Sequence, residues 1–182
     1  MPLRIFPVAR VADVSFTSSF GAPRSGGRSH EGNDIMAPDG TPLFAVDDGE
    51  ARFGTDPLGG NIVNLFAPDG TRYYYAHLQA FENASPGMRR TVRAGETLGT
   101  VGRTGNAATT PPHVHFEVHP GNGPAVDPFP LLTGAEQRAP GRSILPWLLA
   151  LGLAGGAAYV AVYGMPGQRG RRPLLQQLRQ AF

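Results

Sequence analysis

Residues 49–78 read GEARFGTDPLGGNIVNLFAPDGTRYYYAHL. In this stretch, short runs rich in β-branched and aromatic residues alternate with two turn signals, Gly59-Gly60 and Pro68-Asp69-Gly70. Runs of this length with close turns between them are typical of antiparallel strands. The same spacing continues on both sides and predicts six strands: Leu43–Val46, Gly49–Phe53, Asn61–Phe66, Thr71–His77, Thr97–Arg103 and His113–Val118.

The composition also favours a β-rich chain. The 182 residues include 25 Gly and 18 Pro without a collagen-like period, which favours many turns over long helices. No long amphipathic helix interrupts the predicted strands. We therefore predict a single, mostly β domain over residues 1–130, a hybrid of antiparallel β-sheet and barrel-like structure.

The residue types exclude several classes of function. Cys is absent, so any metal must be bound through His, Asp or Glu. All 16 basic residues are Arg, which excludes a lipoyl or biotinyl Lys, a Schiff-base Lys and a phosphate-loop Lys. The net charge is only +2, and no basic run is interleaved with aromatic residues, so binding of nucleic acid is not expected.

The character of the sequence changes after Pro130. Residues 131–143 are predicted to be a linker, and residues 144–163 form an uncharged apolar run with about the 20 residues that cross a bilayer core. Residues 164–182 form a basic, amphipathic tail. We predict a C-terminal transmembrane helix; the alternative, a buried core helix, is disfavoured because the run is apolar on all sides.

The flanking charges predict the orientation of this helix. The Arg residues nearest to it are Arg138 and Arg142 before the span, and Arg169, Arg171, Arg172 and Arg179 after it. This asymmetry places the C-terminus in the cytoplasm and the β domain in the cell envelope, on the periplasmic or extracellular side. The N-terminus lacks the apolar run of a cleavable signal peptide.

The apolar run also contains a possible helix-association motif. Gly152 and Gly156 form a G-x-x-x-G pair. This spacing permits a helix-mediated homodimer, and it also arises by chance because Gly is common in membrane spans.

Four of the five His residues fall in three short patterns. In the first, His30-Glu-Gly-Asn-Asp34, an imidazole and a carboxylate are four residues apart. Gly32 and Asn33 are residue types that permit a tight turn between them. In the second, His77 ends a predicted strand. Imidazole and carboxylate are suitable zinc ligands.

The third pattern is His113-Val-His115-Phe-Glu-Val118. In a strand, residues two apart project from one face, so the two His residues point together while Val114, Phe116 and Val118 point into the core. Burying two imidazoles without partners would be costly. A bound metal therefore explains the pattern better than scattered surface histidines do.

Taken together and in this order, the motifs resemble the lysostaphin-type zinc metallopeptidases, which hydrolyse peptide bonds in peptidoglycan. The resemblance extends from Phe20 to Val118, and the loop Asn106–Pro112 departs from it. The matching segments are Ser19–Arg24, Asp34-Ile35, Tyr75–Leu78, Val92–Gly99, Val101–Gly105 and His113–Glu117.

The resemblance implies that His30, Asp34 and His115 bind Zn²⁺ and that His77 and His113 are catalytic. One of these two would be the general base and the other would hydrogen-bond the developing oxyanion; the sequence leaves open which. The implied function is a zinc-dependent endopeptidase acting on peptide cross-links of bacterial peptidoglycan. The alternative is an inactive scaffold or regulator of cell-wall hydrolases with the same fold.

Other residues near the motifs allow two interpretations each. Glu117 lies on the face of His115 and would either orient that imidazole or remain a solvated carboxylate. Arg24 and Arg28 would either bind a substrate carboxylate or belong to a solvated loop. His119 belongs to no motif and is predicted to be a rim or surface residue.

Overall fold

The computed structural model describes residues 2–137. Their elements are β1 (Ser15–Phe16), β2 (Asn33–Met36), β3 (Pro42–Phe44), β4 (Gly49–Asp56), β5 (Gly60–Phe66), β6 (Arg72–Leu78), β7 (Ala80–Phe81), β8 (Arg89–Val92), β9 (Thr97–Thr100), β10 (His113–His119) and α1 (Phe129–Gln137). Short 3-10 turns lie at Ser25–Gly27, Gly105–Ala107 and Pro120–Asn122.

The strands form two antiparallel sheets. A seven-stranded sheet has the order β1-β2-β10-β6-β5-β4-β8, and a three-stranded sheet has the order β3-β9-β7. The mostly β, antiparallel prediction is confirmed, and the strands divide between two sheets. Leu43 and Leu98 of the small sheet join the same buried cluster as Val63 and Phe116 of the large one. The small sheet therefore covers an apolar face that a lone sheet would expose to water.

Alternation along the central strands separates this core from a polar face. On β10, Val114 and Phe116 are fully buried and lie in the core cluster. On β6, Tyr75 is also fully buried, and its hydroxyl accepts from Val46 N and donates to Phe44 O, both at 3.1 Å. Because side chains alternate along a strand, the intervening residues of β6 and β10 project from the opposite face.

All six predicted strands overlap observed strands, with shifted ends. The prediction missed β1, β2, β7 and β8, all of which have only two to four residues. The most consequential omission is β2. The sequence predicts only a tight turn at Gly32 and Asn33, whereas Asn33–Met36 forms a strand. Pairing with β10 places it in the large sheet.

Helix α1 extends the domain beyond residue 130. Leu132 and Ala135 are buried in the core, so the first residues of the predicted linker at 131–143 belong to the folded domain. Within residues 2–137, no helix has the length and apolar character needed to cross a membrane. The predicted span at 144–163 and tail at 164–182 lie outside the described residues.

Candidate metal centre

Two of the three residues that form the site lie on neighbouring strands. Strands β2 and β10 pair in antiparallel fashion, with Asp34 opposite His115. His30 precedes β2 and is held by backbone bonds to the segment before it, His30 N to Ala22 O at 2.9 Å and Gly21 N to His30 O at 2.8 Å. The sheet thus brings together three residues that are up to 85 positions apart in the chain.

Three ligand atoms converge at this point. The distances are 3.0 Å from His30 Nε2 to Asp34 Oδ1, 3.0 Å from His115 Nδ1 to Asp34 Oδ1 and 2.8 Å from His30 Nε2 to His115 Nδ1. Within the described part of the chain, these residues form the group of His and carboxylate side chains suited to holding a metal ion.

In His30 and His115, the outer ring nitrogen is the one that faces away from the point of convergence. Its hydrogen-bond partner shows which tautomer is present. His30 Nδ1 lies 2.8 Å from Ser19 O, and His115 Nε2 lies 2.8 Å from Glu117 Oε1. Both partners are acceptors, so the outer nitrogens carry the hydrogens, and in the neutral rings the inner nitrogens present lone pairs. Two lone pairs and a carboxylate oxygen then face one point, which fits a cation, and nitrogen and oxygen donors suit zinc.

The charges of the site reflect this arrangement. Burial raises the pKa of Asp34, but hydrogen bonds from His115 and His30 outweigh it and hold that pKa well below its usual range. Burial lowers the pKa of His115, but its bonds to Asp34 and Glu117 outweigh it, so the pKa is raised. Asp34 is therefore an anion, and a cation at the site competes with a proton for His115 Nδ1.

Glu117 orients the ligand imidazole. Its side chain is only 12% exposed, and its second oxygen, Oε2, lies 2.6 Å from His119 Nε2. Burial raises the pKa of Glu117, but the bonds to His115 and His119 outweigh it and lower it. Of the two interpretations of Glu117, the structure favours the orienting carboxylate over the solvated one.

The prediction that His119 is a surface residue is wrong. Its exposure is 5%, because the turn Pro120–Asn122 folds the chain back and places Gly123 O 2.8 Å from His119 Nδ1. The adjacent proline suggested a strand end at the rim, whereas the strand continues through His119.

The two arginines before His30 differ in their contacts. Arg24 Nη2 lies 2.5 Å from Asp34 Oδ2, the carboxylate oxygen that faces away from the histidines. Arg28 bonds only within its own hairpin, from Nε to Ser25 O at 3.2 Å and from Nη2 to Ser25 Oγ at 3.5 Å. Arg24 is therefore part of the metal centre, and Arg28 remains available to a ligand.

The remaining two histidines lie side by side next to the ligands. The rings of His77 and His113 are 4.9 Å apart, and those of His77 and His115 are 6.2 Å apart. His77 Nδ1 lies 2.9 Å from Thr104 O and His113 Nδ1 lies 2.9 Å from Pro111 O. Both Nδ1 atoms therefore donate to backbone carbonyls, and in the neutral rings both Nε2 atoms are acceptors.

His77 has two further unusual properties. Its φ of 68° is left-handed, a conformation that costs free energy in a non-glycine residue and is common at functional sites. Burial, together with the nearby His113, lowers its pKa to about 4. His77 is therefore neutral near pH 7.

Tyr74 is a site residue that the sequence reasoning missed. Its ring meets that of His115 edge-on, with centroids 6.2 Å apart, and it lies opposite Glu117 on the neighbouring strand. Burial and the charge of Asp56 raise its pKa, so its hydroxyl stays protonated and can donate. The signal was in the sequence, because Tyr74 alternates with the core residues Tyr73 and Tyr75.

These side chains line one groove with a volume of about 970 Å³. The side chains of His30, Asp34 and His115 lie along it together with those of His77 and His113. Loop residues including Leu58, Asn106 and Thr110 form its walls. Gly105 packs so closely on the 58–60 turn that an added Cβ would clash with Leu58 O. The two loops therefore form one continuous wall.

A groove of this kind, with three residues placed to hold a metal ion and two further imidazoles beside them, is typical of a metallopeptidase. The chain belongs to peptidase family M23, whose model matches residues 28–128, and this confirms the resemblance seen in the sequence. Its relatives include the DD-carboxypeptidase/endopeptidase Mpg of Neisseria meningitidis serogroup B, 40% identical over 119 residues. The matched residues are 62% of this chain and 26% of Mpg, so this chain corresponds to about a quarter of that protein.

Solved structures agree with this assignment. The catalytic domain of lysostaphin from Staphylococcus simulans is similar with a TM-score of 0.57 and 32% identity, over 66% of this chain and 93% of that domain. A zinc-containing peptidase from Vibrio cholerae is similar with a TM-score of 0.56 and 27% identity, over 68% of this chain and 38% of that chain.

Proposed function

We propose that this protein is a zinc-dependent endopeptidase that hydrolyses peptide cross-links of bacterial peptidoglycan. The observation that carries the proposal is the convergence of His30 Nε2, His115 Nδ1 and Asp34 Oδ1 within 2.8–3.0 Å of one another in an open groove. The activities of two relatives, the DD-carboxypeptidase/endopeptidase Mpg and the antimicrobial peptidase lysostaphin, support the choice of substrate.

The three converging atoms would hold the zinc ion. Bound there, zinc supplies Lewis-acid polarisation of the scissile carbonyl and activation of water. Three protein ligands are the number that catalytic zinc sites use. Arg24 and Glu117 keep Asp34 and His115 in position, the first from the outer carboxylate oxygen and the second from the outer imidazole nitrogen.

The proton transfers fall to the chain's other imidazoles. His77 and His113 each present Nε2 as an acceptor, since each Nδ1 donates to a backbone carbonyl. One takes the proton of the attacking water at Nε2 and passes that same proton to the leaving amine, and the other hydrogen-bonds the oxyanion when its own Nε2 carries a proton. Tyr74 is a further donor at the groove floor.

The groove also suits a peptide in shape. The groove is open to solvent. Most of its lining side chains are polar, and Leu58, Ala107 and Pro111 add apolar surface. Arg28 and Arg72 line it as cations that can meet substrate carboxylates. An extended peptide could therefore lie across the metal centre with side chains on both sides of the cleaved bond.

The test combines zinc content with wall digestion by the full chain. We expect about one zinc per chain and release of cleaved peptides from purified peptidoglycan, identified by mass spectrometry, with both lost in His30→Ala. The matched control is Arg28→Ala, which lies on the same approach to β2 and should keep its zinc. A folded wild-type chain that binds zinc but cleaves no wall peptide would instead indicate a non-hydrolytic regulator.

We also propose that residues 144–163 anchor the enzyme in a membrane with its β domain in the cell envelope. The support is the uncharged run and the excess of Arg after it. Fractionation of cells should recover the protein with membranes, and detergent should release it. Protease added to opened envelopes should remove the β domain while the cytoplasmic side stays intact; recovery in the soluble fraction without detergent would contradict the anchor.

A further inference from the structure

A line of buried hydrogen bonds leads away from the metal centre along strand β10. His115 Nε2 lies 2.8 Å from Glu117 Oε1, Glu117 Oε2 lies 2.6 Å from His119 Nε2, and His119 Nδ1 lies 2.8 Å from Gly123 O. The three side chains are at positions i, i+2 and i+4 of one strand, so they project from the same face.

Both oxygens of Glu117 are occupied by this line. A carboxylate bound through one oxygen can rotate about its terminal torsion, which is soft. Bound through both, it keeps one orientation. Both ring nitrogens of His119 face acceptors, so in this arrangement Nδ1–H donates to Gly123 O and Nε2–H donates to Glu117 Oε2. The second of these bonds fixes the orientation of the oxygen that receives the N–H of His115.

His119 is itself fixed at the far end. Its exposure is 5%, and the turn Pro120–Asn122 presents Gly123 O to its Nδ1. The side chains of His119 and Glu117 are 6% and 12% exposed, so water competes little for these bonds. Glu117 and His119 are therefore each held by hydrogen bonds at both ends, and together they connect Gly123 O to the imidazole of His115.

We propose that His119 is a positioning residue of the zinc site, acting through Glu117 to hold His115 with Nδ1 directed at the metal. The proposal rests on the proposed zinc site. Replacing a residue that hydrogen-bonds a metal ligand changes metal affinity by about 10- to 100-fold. His119 is one hydrogen bond further from the metal, because it binds Glu117 rather than His115. We expect its loss to weaken zinc binding by about tenfold, the lower end of that range.

The two amide replacements of His119 separate the proposed role from a structural one. In His119→Gln the amide nitrogen lies near the place of Nε2 and can still bind Glu117. In His119→Asn it lies near the place of Nδ1 and can bind only the Gly123 side. Both variants keep a polar amide, and the free energy of unfolding reports any packing that the shorter Asn side chain loses.

The zinc dissociation constant of the full chain, measured by competition with a chelator, is the first readout. We expect His119→Gln to stay within about threefold of wild type and His119→Asn to weaken binding by about tenfold. The free energy of unfolding of the metal-free variants is measured alongside. Equal zinc affinities for the two variants would overturn the proposal.

A double-mutant cycle with Glu117→Ala, which leaves no side-chain partner for either histidine, is the second readout. If His119 acts through Glu117, then His119→Asn should cause no further loss of zinc affinity once Glu117 has been replaced. Additive losses would show that His119 acts by another route and would overturn the proposal. A wild-type chain that binds no zinc would overturn the proposed function itself, whereas wild-type affinity in His119→Asn would overturn only the role of His119.

Discussion

The carboxylate oxygen of Asp34 that faces away from the histidines, Oδ2, lies 2.5 Å from Nη2 of Arg24. Oδ1 of the same carboxylate faces His30 and His115. Arg24 is the last residue before the 3-10 turn Ser25–Gly27, so an exposed hairpin supplies a cation to a metal-binding residue.

Replacement of Arg24 should weaken zinc binding modestly. The Arg24 side chain is 39% exposed, and exposed ion pairs contribute about 0.2–1 kcal/mol, which corresponds to at most about a fivefold change. We expect Arg24→Ala to raise the zinc dissociation constant by about two- to fivefold, measured by chelator competition. Arg28→Ala is the control on the same hairpin, and an equal effect of both variants would contradict the assignment.

Replacement of Gly32 should disrupt the metal centre by direct contact. Gly32 does not have a positive φ, so its role is not the permissive turn expected from the sequence. An added Cβ would clash with Phe116 O and lie 2.8 Å from Cε1 of His115. We expect Gly32→Ala to abolish or strongly reduce zinc binding, measured as metal content after dialysis.

Gly54→Ala is the matched control for this change. Gly54 lies in β4, and the atoms nearest to an added Cβ are those of Ile62, at 3.7 Å, an ordinary van der Waals contact. Zinc binding should persist in this variant. Retention of zinc by Gly32→Ala would mean that the strands separate easily at this point.

Replacement of His113 or His77 should reduce catalysis while leaving the metal bound. Neither is among the three converging residues, and general acid–base groups contribute about 10²- to 10⁴-fold to rate. We expect kcat of His113→Ala and His77→Ala to fall within that range, with zinc content close to that of wild type. Loss of zinc in either variant would assign that residue to the metal rather than to proton transfer.

The acid stability of the metal-free domain should depend on His77. Its pKa is lowered to about 4 from a usual value of 6.5, so between these values the unfolded chain binds the proton more strongly than the folded one. The free energy of unfolding should therefore rise with pH across this window. Urea unfolding with chelator at pH 4.5 and 7 should show a smaller difference for His77→Gln than for wild type; an unchanged difference would contradict the neutral, buried state of His77.

The main strands and the site residues were accessible from the sequence for a physical reason. The alternation in β10 places His113 and His115 on one face, and the turn signals bound β4, β5 and β6. These are local properties of the chain. By contrast, the small strand pairs β3-β9 and β7-β9 depend on which distant segments cover the core, which local patterns do not specify.

The misreadings at the site have the same origin. The sequence predicts a tight turn between His30 and Asp34, but Asp34 itself lies in a strand because β10 pairs with it. The sequence predicts that His119 is a rim or surface residue, but the turn Pro120–Asn122 brings Gly123 O within hydrogen-bonding distance of its Nδ1. Arg24 and Gly32 gain their roles from contacts with Asp34 and His115, which only the folded chain brings near.

Two backbone carbonyls orient the imidazoles of His77 and His113, which we propose for proton transfer, and this has a consequence for divergence among relatives. Thr104 O and Pro111 O receive the Nδ1 protons of His77 and His113, and they stand at the two ends of the loop that forms one groove wall. Since any residue supplies a backbone carbonyl, tautomer control does not depend on side-chain identity at these positions. The intervening residues 106–110 can therefore mutate toward a new cleavage preference while the orientation of His77 and His113 is inherited unchanged.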